Sequence, residues 1–413
     1  MPPCRARPVG RRAAGACLAL ASLLVSLLAA SNPAAAVDWQ VLYRLSETLR
    51  VSDNIELRPD PEGPAVSSST GAGLDIIART PTAQWGVTGD IGKLVYFGEG
   101  APEDRKRMTV SAASDLLKTT RSTDFHLDAH FRMAPATGLI LTDPVLLDPG
   151  QIDPELVNLG LELVNFDRIS YGAGGGFVHR WSRVDDLALS ARANRVDFTE
   201  DATGVTPYTY VELSGLWTRR LTRRVDGRMR VSAAHFRADD DTSRRLIYNA
   251  TLGTNVRATR RLTLDANAGV AVIDQRSAEK AEAGLHRSDR TAGFIGDFSL
   301  IFTPRRDTTV SLALSQQVSP DSLGDLRSTQ AASGTMAWRI NHRSSLNLLG
   351  ALTNSSQAGD GGGSRQTWTI SPSYRHALTR SWDMTLSYRW LKTDDAQSNS
   401  AFLTLSHRGT LLP

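Results

Sequence analysis

The chain has 413 residues, with 47 Lys and Arg against 43 Asp and Glu, and only two cysteines, Cys4 and Cys17. Residues 1–36 read as a cleavable export leader: Arg5, Arg7, Arg11 and Arg12 form a charged start, ACLALASLLVSLLAA (16–30) is an apolar run, and Ala34 to Ala36 offer an A-x-A site. Removing that leader takes away both cysteines and four Arg with no acid, so 43 bases face 43 acids in the remainder. This excludes disulfides and Cys metal sites from the mature chain and gives no charge argument for nucleic-acid binding.

About 377 residues then remain, enough for one large barrel. No later stretch reaches ~18 consecutive apolar residues, so no transmembrane helix is expected. An exported chain without a helical anchor is periplasmic, secreted or an outer-membrane barrel.

In chain order, strands are predicted near 38–51, 70–80, 83–97, 107–117 and 121–133. A long connection follows over 134–167, expected as a surface or lumen segment and a candidate plug. From about residue 168 to the end the pattern is strand, tight turn, strand, longer polar loop. The tight turns fall at Trp181–Arg183, Thr222–Arg224, Thr259–Arg261, Pro304–Arg306, His342–Ser344 and Thr379–Ser381, roughly every 37 to 45 residues. The longer loops fall near 199–206, 238–244, 274–290, 318–328, 354–364 and 393–398. Alternating short and long connections are the pattern of an up-and-down barrel.

The strands alternate in polarity. Trp382, Met384, Leu386, Tyr388 and Trp390 share one face, while Asp383, Thr385, Ser387 and Arg389 share the other. Leu262 to Val272 and Trp368 to Arg375 behave alike. The polar faces carry Thr, Ser, Asn, Gly and Arg, with five Lys against 42 Arg, which suits a crowded lumen better than a surface facing bulk water. Trp181, Trp217, Trp338, Trp382 and Trp390 lie near strand ends, at the expected headgroup level. Backbone amides in hydrocarbon need partners, so such a sheet must close. The fold class is therefore all-β: a single transmembrane antiparallel up-and-down β-barrel over 37–413, of about 18 strands with 16 possible, with short periplasmic turns and longer extracellular loops.

Two constellations carry polar chemistry. His126, Asp128, His130 and Arg132 alternate onto one face, opposite Phe125, Leu127, Ala129, Phe131 and Met133. Their types suit a metal site, an acid–base pair or a hydrogen-bonded lumen patch. No further ligands and no Ser nucleophile are placed beside them, so the lumen patch is the reading adopted. Arg44, Arg192, Arg230, Arg257, Arg339, Arg375 and Arg389 share lumen parity. Basic side chains lining a pore favour anions, while Asp128, Asp265, Asp297 and Asp383 on the same parity argue for a balanced field. The glycine run GAGGG (172–176) lacks the strand-then-helix context of a phosphate loop and reads as close backbone approach or a bulge. Glu47 falls on the apolar parity and is expected at a rim or beside a bulge.

SETLRVSDNIEL (46–57) resembles the S-E-T-x-x-x-x-D-N-I-x-L opening of bacterial outer-membrane barrels of the porin-2 type, a group that includes proteins of exopolysaccharide and PEP-CTERM loci. The resemblance implies a large barrel and, from some relatives, a link to polysaccharide export with a periplasmic export partner. The chain departs from the usual outer-membrane pattern by ending Gly409 to Pro413, without a terminal aromatic. The function expected is an outer-membrane pore that assists exopolysaccharide export or passes polar or anionic solutes, without catalytic residues, metal or cofactor. Its partners would be outer-membrane lipid and the barrel-assembly machinery, with no nucleic acid. Two alternatives stay open: a barrel enzyme acting on lipid or peptide through His126 and Asp128, and a non-conducting structural or adhesive surface barrel.

Overall fold

A computed structural model describes residues 37–102, 105–135, 167–199, 206–239, 243–277, 289–320, 326–357 and 364–412. The leader (1–36) and the candidate plug over 136–166 lie outside the described residues. The strands are β1 (Asp38–Ser52), β2 (Ala65–Arg79), β3 (Ala83–Gly98), β4 (Lys106–Thr119), β5 (Thr123–Pro135), β6 (Asp167–Arg180), β7 (Asp185–Phe198), β8 (Tyr208–Arg220) and β9 (Val225–Ala238). They continue as β10 (Ser243–Arg257), β11 (Leu262–Ser277), β12 (Asp289–Arg305), β13 (Thr308–Pro320), β14 (Leu326–Arg339), β15 (Ser344–Gln357), β16 (Arg365–Ala377), β17 (Trp382–Thr393) and β18 (Gln397–Leu412).

Each strand pairs antiparallel with its sequence neighbours, and β18 returns to pair with β1, so 18 strands form one closed sheet. The seam runs from Ser52↔Ser400 to Val41↔Leu412 with a single irregularity between Val41 and Leu42. It is stitched on the inner face by hydroxyl pairs: Thr48 with Thr404 at 3.0 Å, Ser52 with Ser398 at 3.1 Å and Ser400 with Ser52 at 2.9 Å. With ~4.8 Å between strands and a tilt near 40°, 18 strands enclose a barrel roughly 35 Å across at the backbone, wider than side chains alone fill. Among the described residues no helix is long and apolar enough to cross a membrane, which says nothing of strands.

The two faces follow the register. Along β17, Asp383, Thr385, Ser387, Arg389, Leu391 and Thr393 are buried on the inner face; Leu386 and Tyr388 stand exposed on the outer one. All eight Trp lie on the outer face or in a turn. Trp39 and Trp85 meet edge to face at 6.3 Å at the turn end, and Trp85 Nε1 donates to Ser114 at 3.0 Å. Such a belt places amphipathic rings where apolar surface meets water.

The tight turns share a device. In all but the β12–β13 turn at Arg305–Thr308, the first residue is Thr, Ser or Asn, and in the examples that follow its side-chain oxygen accepts the backbone N–H three residues on. Examples are Thr80 to Ala83 at 2.9 Å, Ser182 to Asp185 at 3.0 Å, Asn341 to Ser344 at 2.9 Å and Thr379 to Trp382 at 3.0 Å. This pre-closes the reversal. The connection after β17, expected among the longer loops, is equally short: Thr393 caps Ala396 at 3.1 Å. Strand β2 starts at Ala65, five residues before the expected 70, because the serines at 67–69 pair with β1 rather than forming a loop.

Two expectations about polarity fail. Glu47 lies at neither a rim nor a bulge: it sits within β1, in regular register with Thr70 and Leu405, on the outer face. Ser68 and Thr70 each donate to its carboxylate at 2.5 Å, which offsets part of the cost of burying a polar group in an apolar setting. The inner face is also not polar throughout. At the loop end of β7–β9, Val196, Tyr208, Phe236 and Ala238 form an apolar cluster, and Ala234, Ile247 and Ile273 form another.

Two outcomes test this arrangement. The mature chain is expected to need detergent or lipid to remain monodisperse; size exclusion in plain buffer giving a monomer would overturn the outward-apolar assignment. Leu386→Arg, mid-strand on the outer face, is expected to cost about 2–4 kcal/mol in urea unfolding in lipid, whereas Thr385→Ser on the inner face costs well under ~1 kcal/mol.

Candidate functional site

The resemblance motif ends where the chain turns inward. Asp53 accepts hydrogen bonds from the backbone N–H and Nδ2 of Asn399 at 2.7 and 2.6 Å. Asn54 then braces the segment 53–64: its Oδ1 accepts Arg58 N–H at 2.9 Å, and its Nδ2 donates to the carbonyls of Arg58 at 2.6 Å and Gln397 at 3.0 Å. Ile55 packs against Ala65 and Tyr96, and Leu57 against Leu391, each 5% exposed. Leu57 has φ of +54°, a left-handed conformation that costs an L-residue about 1–2 kcal/mol. Full burial of a Leu side chain returns about 1.5–3 kcal/mol. Arg58 ties Glu56 at 2.6 Å and Glu62 at 2.7 Å. Thus Asp53, Asn54, Ile55 and Leu57 pin this connection against the inner wall.

Beneath it lies a recess of about 600 Å³, bounded by Ile55 and Glu56 above and by the inner faces of β1–β5 and β16–β18. Its lining contains five arginines, Arg44, Arg50, Arg132, Arg375 and Arg408, against three acids, Glu56, Asp90 and Asp383. Arg44 bridges Asp75 at 3.3 Å and Asp90 at 3.0 Å. Asp383 receives Arg375 at 2.7 Å and Arg408 at 3.7 Å. Arg50 is different: it donates to Ser400 Oγ at 3.3 and 3.1 Å and pairs with no carboxylate among the described residues. Its guanidinium lies 5.4 Å from the centroid of Phe402, which Arg389 approaches to 5.1 Å. Two cations share one aromatic ring, an arrangement that rewards an anion close by.

The other expected lumen residues take the inner face as their parity required, but not one site. Arg257 pairs with Asp226 at 3.2 Å. Arg192, Arg230 and Arg339 are exposed on β7, β9 and β14, away from the recess. Arg50 and Arg408 were not singled out from the sequence, although each shares its strand's inner parity, Arg50 with Arg44 and Arg408 with Thr404. Asp265 accepts from Arg228 at 2.5 Å and from Asn255 at 2.9 Å, and Asn267 links it to Asp297 at 2.8 Å, so these two of the acids foreseen on this face are structural partners. Trp217, Trp338, Trp382 and Trp390, expected at the headgroup level, face outward, and Trp181 stands 75% exposed in its turn.

The histidine row and the glycine run prove to be one feature. Register sets His126 opposite Gly176, Asp128 opposite Gly174 and His130 opposite Gly172. A Cβ on Gly172 would meet His130 Cε1 at 2.8 Å, on Gly174 Asp128 Oδ1 at 2.8 Å, and on Gly176 His126 Cε1 at 2.7 Å. The side chains of β5 lie across a lane that only glycine leaves open. Ser190 reaches Gly176 from the other side but hydrogen-bonds Ser214 at 2.7 Å rather than His126. Among the described residues no three His, Cys, Asp or Glu converge as metal ligands. The run is therefore close approach within a regular register, not a bulge.

No protein-family model matches the chain, and no curated protein matches it. Among solved structures the chain is similar to the outer membrane protein OpdK from Pseudomonas aeruginosa, at 15% identity over 90% of this chain and 99% of that one, with a TM-score of 0.48. It is also similar to a BenF-like porin from Pseudomonas fluorescens Pf-5, at 11% identity over 91% and 99%, TM-score 0.47. OccAB3 from Acinetobacter baumannii matches at 12% identity over 91% and 100%, TM-score 0.47.

Substitution in the glycine lane should be graded by what the new Cβ meets. Gly174→Ala faces only the mobile end of Asp128 and is expected to cost less than ~1 kcal/mol, while Gly172→Ala and Gly176→Ala also meet the carbonyls of Ala193 and Leu189 and are expected to cost about 1–3 kcal/mol, read by equilibrium unfolding in detergent.

Proposed function

We propose that the chain is a bacterial outer-membrane β-barrel pore that passes small polar solutes and favours anions, without covalent chemistry. Lipid then solvates the outer face, export relies on the leader at 1–36, and the barrel-assembly machinery inserts the sheet. The observation that carries the anion preference is Arg50 in the recess under segment 53–64, a guanidinium that bonds only a hydroxyl and a ring and so brings excess positive charge to the lining. A low-dielectric wall focuses that excess charge on the passing solute. The geometry of His126 and Asp128 favours the pore over the barrel enzyme: their direct cross-strand partners on β6 are glycines, and no hydroxyl bonds His126 among the described residues.

Export of exopolysaccharide is the finer cargo implied by the resemblance over Ser46–Leu57. In this fold those residues close β1 and pin the inward segment, a structural task that any cargo would permit.

Reconstitution in planar bilayers under a KCl gradient tests the proposal. The reversal potential is expected to indicate anion preference, and Arg50→Gln is expected to lower the anion-to-cation permeability ratio by about two- to fivefold, corresponding to ~0.5–1 kcal/mol. A silent bilayer, or cation preference in the unaltered protein, would overturn the proposal.

A further inference from the structure

One polar island interrupts the apolar outer face. Register sets Glu47 of β1 opposite Thr70 of β2, and Thr70 opposite Lys93 of β3. Along the strands the same face is apolar on both sides of that row. Leu45 and Leu49 flank Glu47 and stand exposed, and Ile91 and Val95 flank Lys93. The island therefore sits inside the apolar band rather than at its edge.

The fold leaves both charges of the island without a counter-ion. The Glu47 carboxylate accepts from the Ser68 and Thr70 hydroxyls, and among the described residues it meets no Lys or Arg. Lys93 is exposed, with neither an acid nor another acceptor among the described residues. The two stand two strands apart, about 10 Å at the backbone, with Thr70 between them. Acyl chains offer neither charge nor hydrogen bonds, so lipid covers such an island at a cost. A carboxylate and an ammonium on either side of Thr70 are, however, self-complementary. A two-fold axis parallel to the barrel axis, passing in front of β2, carries Lys93 of each copy toward Glu47 of the other. One isologous contact thus supplies both missing counter-ions in both copies. Ala72, exposed at the next outer position of β2 toward the turn end, keeps the surface low enough for two walls to approach.

We propose that the outer face of β1–β3 docks a second copy of this chain within the membrane, with Lys93 of each copy pairing with Glu47 of the other. The inference rests on reading the chain as an outer-membrane barrel and is separate from solute passage.

The test reconstitutes the full barrel, one fluorophore per chain, in liposomes over a range of protein-to-lipid ratios and counts copies by single-molecule photobleaching. The unaltered barrel is expected to form dimers that dissociate on dilution. Glu47→Lys and Lys93→Glu each set like charges across the axis and are expected to weaken association about tenfold, while the double exchange is expected to restore it to within about threefold. Ala72→Cys, the sole cysteine once the leader is removed, is expected to cross-link two copies on oxidation, and Leu213→Cys on β8 is not. Monomers of the unaltered barrel at every ratio would overturn the proposal, whether or not the variants fold, and would leave the island to a lipid headgroup or a different protein. Dimers indifferent to the single reversals, or single reversals that the double exchange does not rescue, would overturn the pairing. Cross-linking through Leu213→Cys instead of Ala72→Cys would overturn the choice of face. Failure of the barrel reading shows itself differently, as a chain that is monodisperse without detergent.

Discussion

The hydrogen-bond ladder between the first and last strands is the constraint on which the molecule depends. Eighteen strands left open would expose two edges of unpaired amides and carbonyls, which is costly in water and prohibitive in hydrocarbon. Once Ser52 meets Ser400 and Leu42 meets Thr410, every strand has two neighbours. The inner and outer faces then become distinct environments. Each side chain's fate follows from its parity, so a slip of one residue would turn Arg389 to the outer face and Leu386 toward the lumen.

Closure also creates a volume that must be shaped. An 18-strand wall is too wide for its own inward side chains to fill, so the mouth is narrowed by chain that folds back. Segment 53–64 does this at one side, held by Asn54 and by the Ile55 and Leu57 pegs. The strained backbone at Leu57 is sustained by the burial of its side chain. Elsewhere the wall is adjusted by small residues. The glycines of β6 let His126, Asp128 and His130 lie flat against the sheet, so polar groups line the lumen without filling it.

Electrostatics divides the arginines into classes. Arg44, Arg228, Arg257 and Arg375 are bound to aspartates and behave as cross-links in the inner wall. Arg50, held by a hydroxyl and an aromatic face, keeps its charge available to the recess. Arg237 and Arg244 stand opposite each other on the outer face, at its loop end. Near balance of charge over the chain thus leaves local fields only where an arginine has a neutral partner, as at Arg50.

Much of the fold was legible in the letters. Period-two alternation, the spacing of turns and the placement of Trp at strand ends determined an up-and-down barrel and the face of each residue, because parity is a local property, but left 16 or 18 strands open, and only the closed sheet decided for 18. The site was less legible. That His126, Asp128 and His130 rest on Gly176, Gly174 and Gly172 depends on a register between strands separated by a long connection. That Asp53 and Asn54 engage Asn399 and Gln397 depends on contacts some 340 positions apart in the chain. Glu47 finding Ser68 and Thr70 in mid-strand is likewise a matter of which residues stand opposite. The sequence by itself determined which face each side chain would take; only the closed tertiary structure decided who its neighbours are, since cross-strand register is set by the whole ring at once.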